Sequence, residues 1–193
     1  ETPNALHMPS HIFTRLGYWP ESIDWNARSA KAAIGLPYNG EVSPHLFHAL
    51  DYEVYALLQQ GDDARARELV KNTDTLTAKL HVAATTAYAL AAMPARLELE
   101  VHQWKAAADL PMPDTSRFAW KKFPQWEALL FYGKGLGAAR SGNTAVAEQS
   151  LDRLTTLQSQ LGDAPPTKYW YDQMEAQKTT INAWMKYGAG QKD

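Results

Sequence analysis

A segment near the amino terminus returns in degraded form later in the chain, and this echo most constrains the fold. Residues 5–19 read A-L-H-M-P-S-H-I-F-T-R-L-G-Y-W, and residues 93–104 read M-P-A-R-L-E-L-E-V-H-Q-W. The Met-Pro pair recurs 85 positions on, from Met8 to Met93, and a tryptophan closes each copy. An echo at a fixed offset is typical of repeat architectures, in which each unit is stacked on the next.

Composition bounds the class of protein. The 193 residues, with 45% hydrophobic and 21% charged side chains, are typical of a soluble globular chain, either one large domain or a short solenoid. Alanine is abundant while isoleucine and valine are sparse, which favours helix over sheet. A net charge of −2 gives no general attraction to nucleic acid or anionic membrane, and no apolar run approaches the ~20 residues that a membrane span needs. We therefore expect no nucleic-acid partner and no membrane insertion.

The absence of cysteine excludes disulfides and thiolate metal sites, and it leaves the compartment undecided. The chain begins Glu1-Thr2-Pro3, in mid-pattern with respect to the first copy of the echo. We expect it to be a carboxyl-terminal portion of something longer, with an earlier helix missing.

Glycine, proline and N-cap residues divide the chain into paired helices. Ser43-Pro44 is an N-cap followed by proline at the first helical position, and Gly61 ends that helix. No stretch shows convincing period-2 alternation, so we expect an all-α protein. A single domain over 1–193 is expected, with four helical hairpins and a capping helix. Their expected ranges are 5–33, 44–74, 76–109, 124–161 and 168–187.

Two proline- or glycine-containing stretches receive specific predictions. The alanine-rich residues 76–93 are expected to be helical, with a kink or restart at Pro94. Gly133, Gly135 and Gly137 lie within an expected helix that follows no strand. They therefore indicate close helix packing and not a phosphate-binding loop.

The turns between paired helices recur in register. In each unit a turn residue stands five positions before a small residue, and successive turns are separated by 44, 41 and 40 positions. The turn residues are Gly17, Gly61, His102 and Gly142, and the small residues are Ser22, Ala66, Ala107 and Ala147. A small residue at that place lets the two helices of a pair approach closely.

The hexamers G-Y-W-P-E-S, G-D-D-A-R-A, H-Q-W-K-A-A and G-N-T-A-V-A resemble the turn of the tetratricopeptide repeat superfamily. The resemblance covers residues 5–161 and implies a right-handed α-α superhelix, or solenoid, of TPR-like hairpins. The whole chain also looks similar to a group of bacterial helical-repeat proteins with H-M-P-S-H-I-F and H-A-L-D-Y segments. That closer resemblance implies architecture only, with cytoplasm and periplasm both open.

In the superfamily the first helices of successive units line a concave groove. Counting back from each turn residue at the family's positions gives the groove-facing residues, with most of their polarity near the amino-terminal end. The implied ligand-binding residues are His7, His11, Thr14, His48, Asp51, Tyr55, Arg96 and Tyr132.

Some of these residues also suit a metal ion. His7 and His11, four positions apart, would share one helix face, and His48 with Asp51 could complete three nitrogens and one oxygen. Zinc or another divalent metal accepts such a set, and an open position would allow metal-assisted hydrolysis. Against this, no glutamate directly follows His7 as in zinc proteases, and Pro9 separates the two histidines.

The function expected from the sequence is non-enzymatic: binding of a protein, peptide or small ligand in the groove, with no catalytic residue and no assigned cofactor. The metal-binding or hydrolytic site is one alternative, and a structural module for homo-oligomerisation is another. A purely structural role for the histidines also stays open, because a buried His7 or His48 could bond to Asp51.

Overall fold

The computed structural model describes residues 2–191, and that part of the chain is helical. It contains no β-strand, only isolated bridges, which confirms the all-α prediction. The α-helices are α1 Pro3–His7, α2 Ser10–Leu16, α3 Trp19–Ile34, α4 Pro44–Gln59, α5 Asp63–Asp74, α6 Ala84–Glu100, α7 Trp104–Ala108, α8 Pro124–Ser141, α9 Thr144–Leu161 and α10 Lys168–Gly188. A 3-10 helix spans Trp120–Lys122.

The chain forms two compact units. Unit 1 comprises Glu1–Met93 and Ser116–Phe118, and unit 2 comprises Pro94–Thr115 and Ala119–Asp193. Helix α6 contributes residues to both units. The helices α4 and α5 fall within the hairpin expected at 44–74, and α8 and α9 within the one expected at 124–161.

The turns that follow α2, α4, α6 and α8 share one backbone geometry. Each turn residue has a left-handed φ, which is 74° at Gly17, 73° at Gly61, 56° at His102 and 79° at Gly142. After each, the next residue donates its N–H to the carbonyl five positions back, at 2.9 Å in every case. This bond is the Schellman cap that ends a helix. The small residue five positions after each turn residue is fully buried at all four places.

Unit 1 is built around α4, which packs most extensively against α3. The Ser43 hydroxyl accepts the His45 N–H at 3.3 Å and begins the helix, as the sequence indicates. A small core of Ala30 and Ala33 from α3 with Leu46 and Ala49 from α4 lies between the two helices. Alanine at three of these four positions allows the helix axes to lie close together.

Helix α6 differs from the prediction at its start. Residues 76–83 are not helical, because they pair with the loop before α4: the Val42 N–H donates to the Lys79 carbonyl at 2.8 Å, and the His81 N–H to the Val42 carbonyl at 3.2 Å. The Glu41 carboxylate lies 2.6 Å from the Lys79 Nζ and 2.9 Å from the His81 Nδ1. The helix begins at Ala84 and continues through Pro94 to Glu100, without the expected restart.

In unit 2, three glycines of α8 let neighbouring residues lie very close to the α8 backbone. A Cβ at Gly133 would lie 2.7 Å from the Ala95 Cβ, and one at Gly135 would lie 2.7 Å from the Ile181 Cδ1. A Cβ at Gly137 would meet the α7 backbone, 2.6 Å from the Trp104 carbonyl oxygen. The close helix packing predicted for these glycines is confirmed.

No helix within residues 2–191 is long and apolar enough to cross a membrane.

Candidate metal centre

The two amino-terminal histidines lie on successive short helices, yet their rings meet. His7 is the last residue of α1, and His11 is the second residue of α2. Met8 and Pro9 between them keep helical dihedrals, −52°/−39° and −59°/−28°. Proline has no N–H, so one hydrogen bond of the helix is lost at Pro9. Because the dihedrals stay helical, the direction of the chain is kept. The one-turn spacing of the histidines is therefore preserved.

A third histidine joins them from α4. The Nε2 atoms of His7 and His11 are 3.0 Å apart, and the ring centroids of His7 and His48 are 4.3 Å apart. One ring nitrogen from each of the three histidines lies within 4.8 Å of the others. Among the described residues, these three histidines are the group of three or more potential ligand side chains that is close enough to hold one metal ion.

A buried asparagine fixes the proton on His7. The Asn26 side chain on α3 donates its Nδ2–H to the Ser22 carbonyl at 2.7 Å, so its Oδ1 faces the His7 Nδ1, also at 2.7 Å. Because Oδ1 can only accept, the network assigns the proton of a neutral His7 to Nδ1. The lone pair of His7 therefore lies on Nε2, directed toward His11.

Tyr52, one turn after His48 on α4, completes the network. Its hydroxyl lies 3.0 Å from the His11 Nδ1, and its ring meets the rings of His7 and His11 edge-on, with centroids at 4.8 and 5.0 Å. With the His7 lone pair on Nε2, His11 donates from its own Nε2 and accepts the Tyr52 hydroxyl proton at Nδ1. Each nitrogen of His7 and His11 thus has a partner.

Burial keeps the His7 and His48 imidazoles neutral near pH 7. It is the main cause that lowers the pKa of His48 to about 4, and the positive charges of the other histidines lower it further. Burial also lowers the pKa of His7, against a smaller opposite effect of the Asn26 hydrogen bond. Burial raises the pKa of Tyr52, and so does the neighbouring Asp51 carboxylate. The imidazoles of His7 and His48 are consequently in the neutral form that can act as metal ligands at pH 7.

The other residues of the expected groove are placed more widely. Asp51 is buried on α4 but does not belong to the group of three histidines. The Thr14 hydroxyl lies 3.2 Å from that of Ser22, and the Tyr55 ring meets Trp19 edge-on at 5.7 Å. Arg96 and Tyr132 belong to unit 2.

Two residues of the site were missed by reasoning from the sequence. Tyr52 stands four positions after His48, a spacing that could have identified it, but the register borrowed from the repeat superfamily pointed to Tyr55. Asn26 is fully buried on α3 and gave no sequence signal, since its partner His7 is distant in the chain.

No protein-family model, no curated protein and no solved structure matches this chain.

Proposed function

We propose that unit 1 binds one transition-metal ion, with zinc the best fit, through His7, His11 and His48. The convergence of one nitrogen from each ring within 4.8 Å carries this proposal. In a tetrahedral site with Zn–N distances of about 2.0–2.1 Å, ligand nitrogens lie about 3.3–3.4 Å apart. The His7 and His11 Nε2 atoms are close to that spacing at 3.0 Å. A ring nitrogen of His48 lies within 4.8 Å of a ring nitrogen of each.

The hydrogen bonds around the histidines support a metal site because they orient the rings from behind. Ligating imidazoles commonly donate their second N–H to a carbonyl or another polar group. His7 already does so toward Asn26. His11 would shift its proton from Nε2 to Nδ1 and donate it to the Tyr52 oxygen, which rotation of the hydroxyl allows.

Three nitrogen ligands leave one tetrahedral position for water or another ligand, as in catalytic zinc sites. A zinc-bound water is far more acidic than bulk water, so metal-assisted hydrolysis is the activity that this arrangement would support. Asp51 lies outside the three-histidine group, so the proposed site uses three nitrogens rather than the expected three nitrogens and one oxygen.

The test is zinc titration of tag-free, chelator-stripped protein in competition with a chromophoric chelator. We expect one ion per chain, and loss of that binding in His7→Ala and in His48→Ala with helicity retained. Tyr52→Phe, which removes only an orienting hydroxyl, should weaken zinc binding by about 10-fold.

The matched control is His81→Ala, because His81 bonds to Glu41 and lies outside the cluster. It should bind zinc like the wild type. Absence of stoichiometric zinc, or an equal loss in His81→Ala, would refute the proposal.

We also infer that the helical pairs are TPR-like repeats, which makes the chain a scaffold for the site. The regular 44-, 41- and 40-residue separations of the four Schellman turns support this, together with the buried small residue five positions after each turn residue.

A second candidate, self-association, is favoured by one surface. Met8, Ile12 and Leu16 are 51, 58 and 59% exposed and recur every four residues, so they form one apolar row. Sedimentation equilibrium tests it: the mass should rise with concentration in the wild type and stay monomeric in Ile12→Glu. A constant monomer mass in both would exclude self-association through this row.

A further inference from the structure

A cavity in unit 1 lies between α3, α4 and α5, on the face of α4 that does not carry the histidines. Its volume is about 330 Å³. The apolar side chains that line it include Ala30, Leu46, Leu50, Leu69 and Leu76. Cavities that hold small ligands begin at about 300 Å³, so this one matches a compound of low molecular mass.

One carboxyl group lines this apolar cavity. Glu53, one turn after Leu50 on α4, is only 4% exposed. Among residues 2–191 no side chain forms a hydrogen bond or ion pair with it, and its electrostatic partner is Arg65 of α5, which also pairs with Asp62 at 3.6 Å. Burial raises the pKa of Glu53 to about 7, against the opposing effect of Arg65.

The charged groups that face Glu53 are few. Lys31 of α3 lines the cavity with an exposed side chain, and Arg65 approaches from α5. Neither forms an ion pair with the Glu53 carboxylate in the described part of the chain. A buried carboxylate without a close cationic partner costs free energy, and a hydrogen-bonded cation offsets that cost.

We propose that this cavity binds a small primary alkylammonium compound. Its aliphatic chain lies against the leucine side chains, and its ammonium donates hydrogen bonds to the Glu53 carboxylate. An anionic ligand would meet an unscreened like charge, and a purely apolar ligand would leave the carboxyl without a partner. A cation with an apolar tail matches both the apolar walls and the ionised Glu53 carboxylate.

The experiment is a calorimetric or NMR titration with n-hexylamine, and with hexan-1-ol as the neutral compound of equal length, at pH 5.5 and 8.5. The amine is protonated at both values, so the change in its affinity reports the ionisation of Glu53. With a pKa of about 7 in the free protein, the ionised fraction rises by about 30-fold between these pH values. We expect the amine affinity to rise by a similar factor and the alcohol affinity to stay low at both.

Two variants locate the site. Glu53→Gln keeps the shape of the side chain and should remove both the preference for the amine and its pH dependence. Ala27→Leu places a larger side chain at the cavity wall and should weaken the binding of the amine at both pH values.

All titrations contain EDTA, so the outcome is independent of the proposed zinc site. Equal affinity for amine and alcohol at both pH values would overturn the proposal. So would absence of amine binding, or amine binding that Glu53→Gln leaves unchanged.

Discussion

Glu53 and His48, five residues apart on α4, should give unit 1 two opposing pH dependences of stability. The pKa of Glu53 is raised from 4.5 to about 7, so the folded protein keeps a proton that the unfolded chain has released between those values. Its contribution to the free energy of unfolding therefore falls as the pH rises from 4.5 to 7. The pKa of His48 is lowered from 6.5 to about 4, so there the unfolded chain holds the extra proton. Its contribution falls as the pH drops from 6.5 toward 4.

The size of each effect follows from the two pKa values. Each differs from its unfolded value by an amount worth about 3 kcal/mol, or about 2 kcal/mol after discounting for solvent screening. The slopes from Glu53 and His48 oppose each other between pH 4.5 and 6.5, so they partly cancel in the wild type. Removing either group should expose the slope of the other.

The assay is urea unfolding, followed by helical circular dichroism in EDTA at pH 4.5, 5.5, 6.5 and 7.5. Glu53→Gln should match the wild type at pH 4.5 and exceed its free energy of unfolding by about 2 kcal/mol at pH 7.5, because a buried charge is no longer formed. Comparing variant with wild type at each pH cancels the exposed ion pairs that both proteins share. A difference between Glu53→Gln and wild type that does not change with pH would refute the reasoning.

Three further predictions concern unit 2, each measured as the change in the free energy of unfolding. Gly137→Ala should destabilise by about 2 kcal/mol, because the new Cβ lies 2.6 Å from the Trp104 carbonyl oxygen and a backbone must move; a stabilised variant would contradict the packing. Arg140→Met should lose about 1–2 kcal/mol, since the guanidinium lies 3.9 and 3.8 Å from the ring centroids of Trp104 and Trp184, and Arg140→Lys should retain part of it. Lys134→Met should lose about 1–3 kcal/mol, because Nζ donates to the carbonyls of Ala108 and Leu110 at 2.7 and 2.6 Å; no change would show that water replaces it.

The helices that could be predicted from the sequence are those whose ends are fixed locally. Ser43 caps α4, Gly61 ends it, and Gly142 ends α8, each through bonds to residues within five positions. Residues 76–83 could not be predicted in the same way. Their helix propensity is high, but their backbone bonds go to Val42, a partner that local patterns cannot show.

The candidate site also has residues that the sequence could predict and one that it could not. His7 and His11 could be paired from their spacing, and the structure keeps that pairing across Pro9. His48 could be predicted as a site residue by counting back from Gly61 at the positions that face the groove in the tetratricopeptide repeat superfamily. Asn26 could not be found, because a buried amide is recognised only through the side chain it orients.

The three glycines of α8 have a consequence for the order in which unit 2 assembles. Glycine is a poor helix former, at about 1 kcal/mol below alanine for each residue, so α8 is a weak helix by itself. The contacts that its bare backbone permits, with Ala95, Ala107 and Ile181, exist only once neighbouring helices are in place. An isolated helix is marginal in water even with a favourable sequence. Helix α8 should therefore form together with the helices that contact its glycines, and not before them.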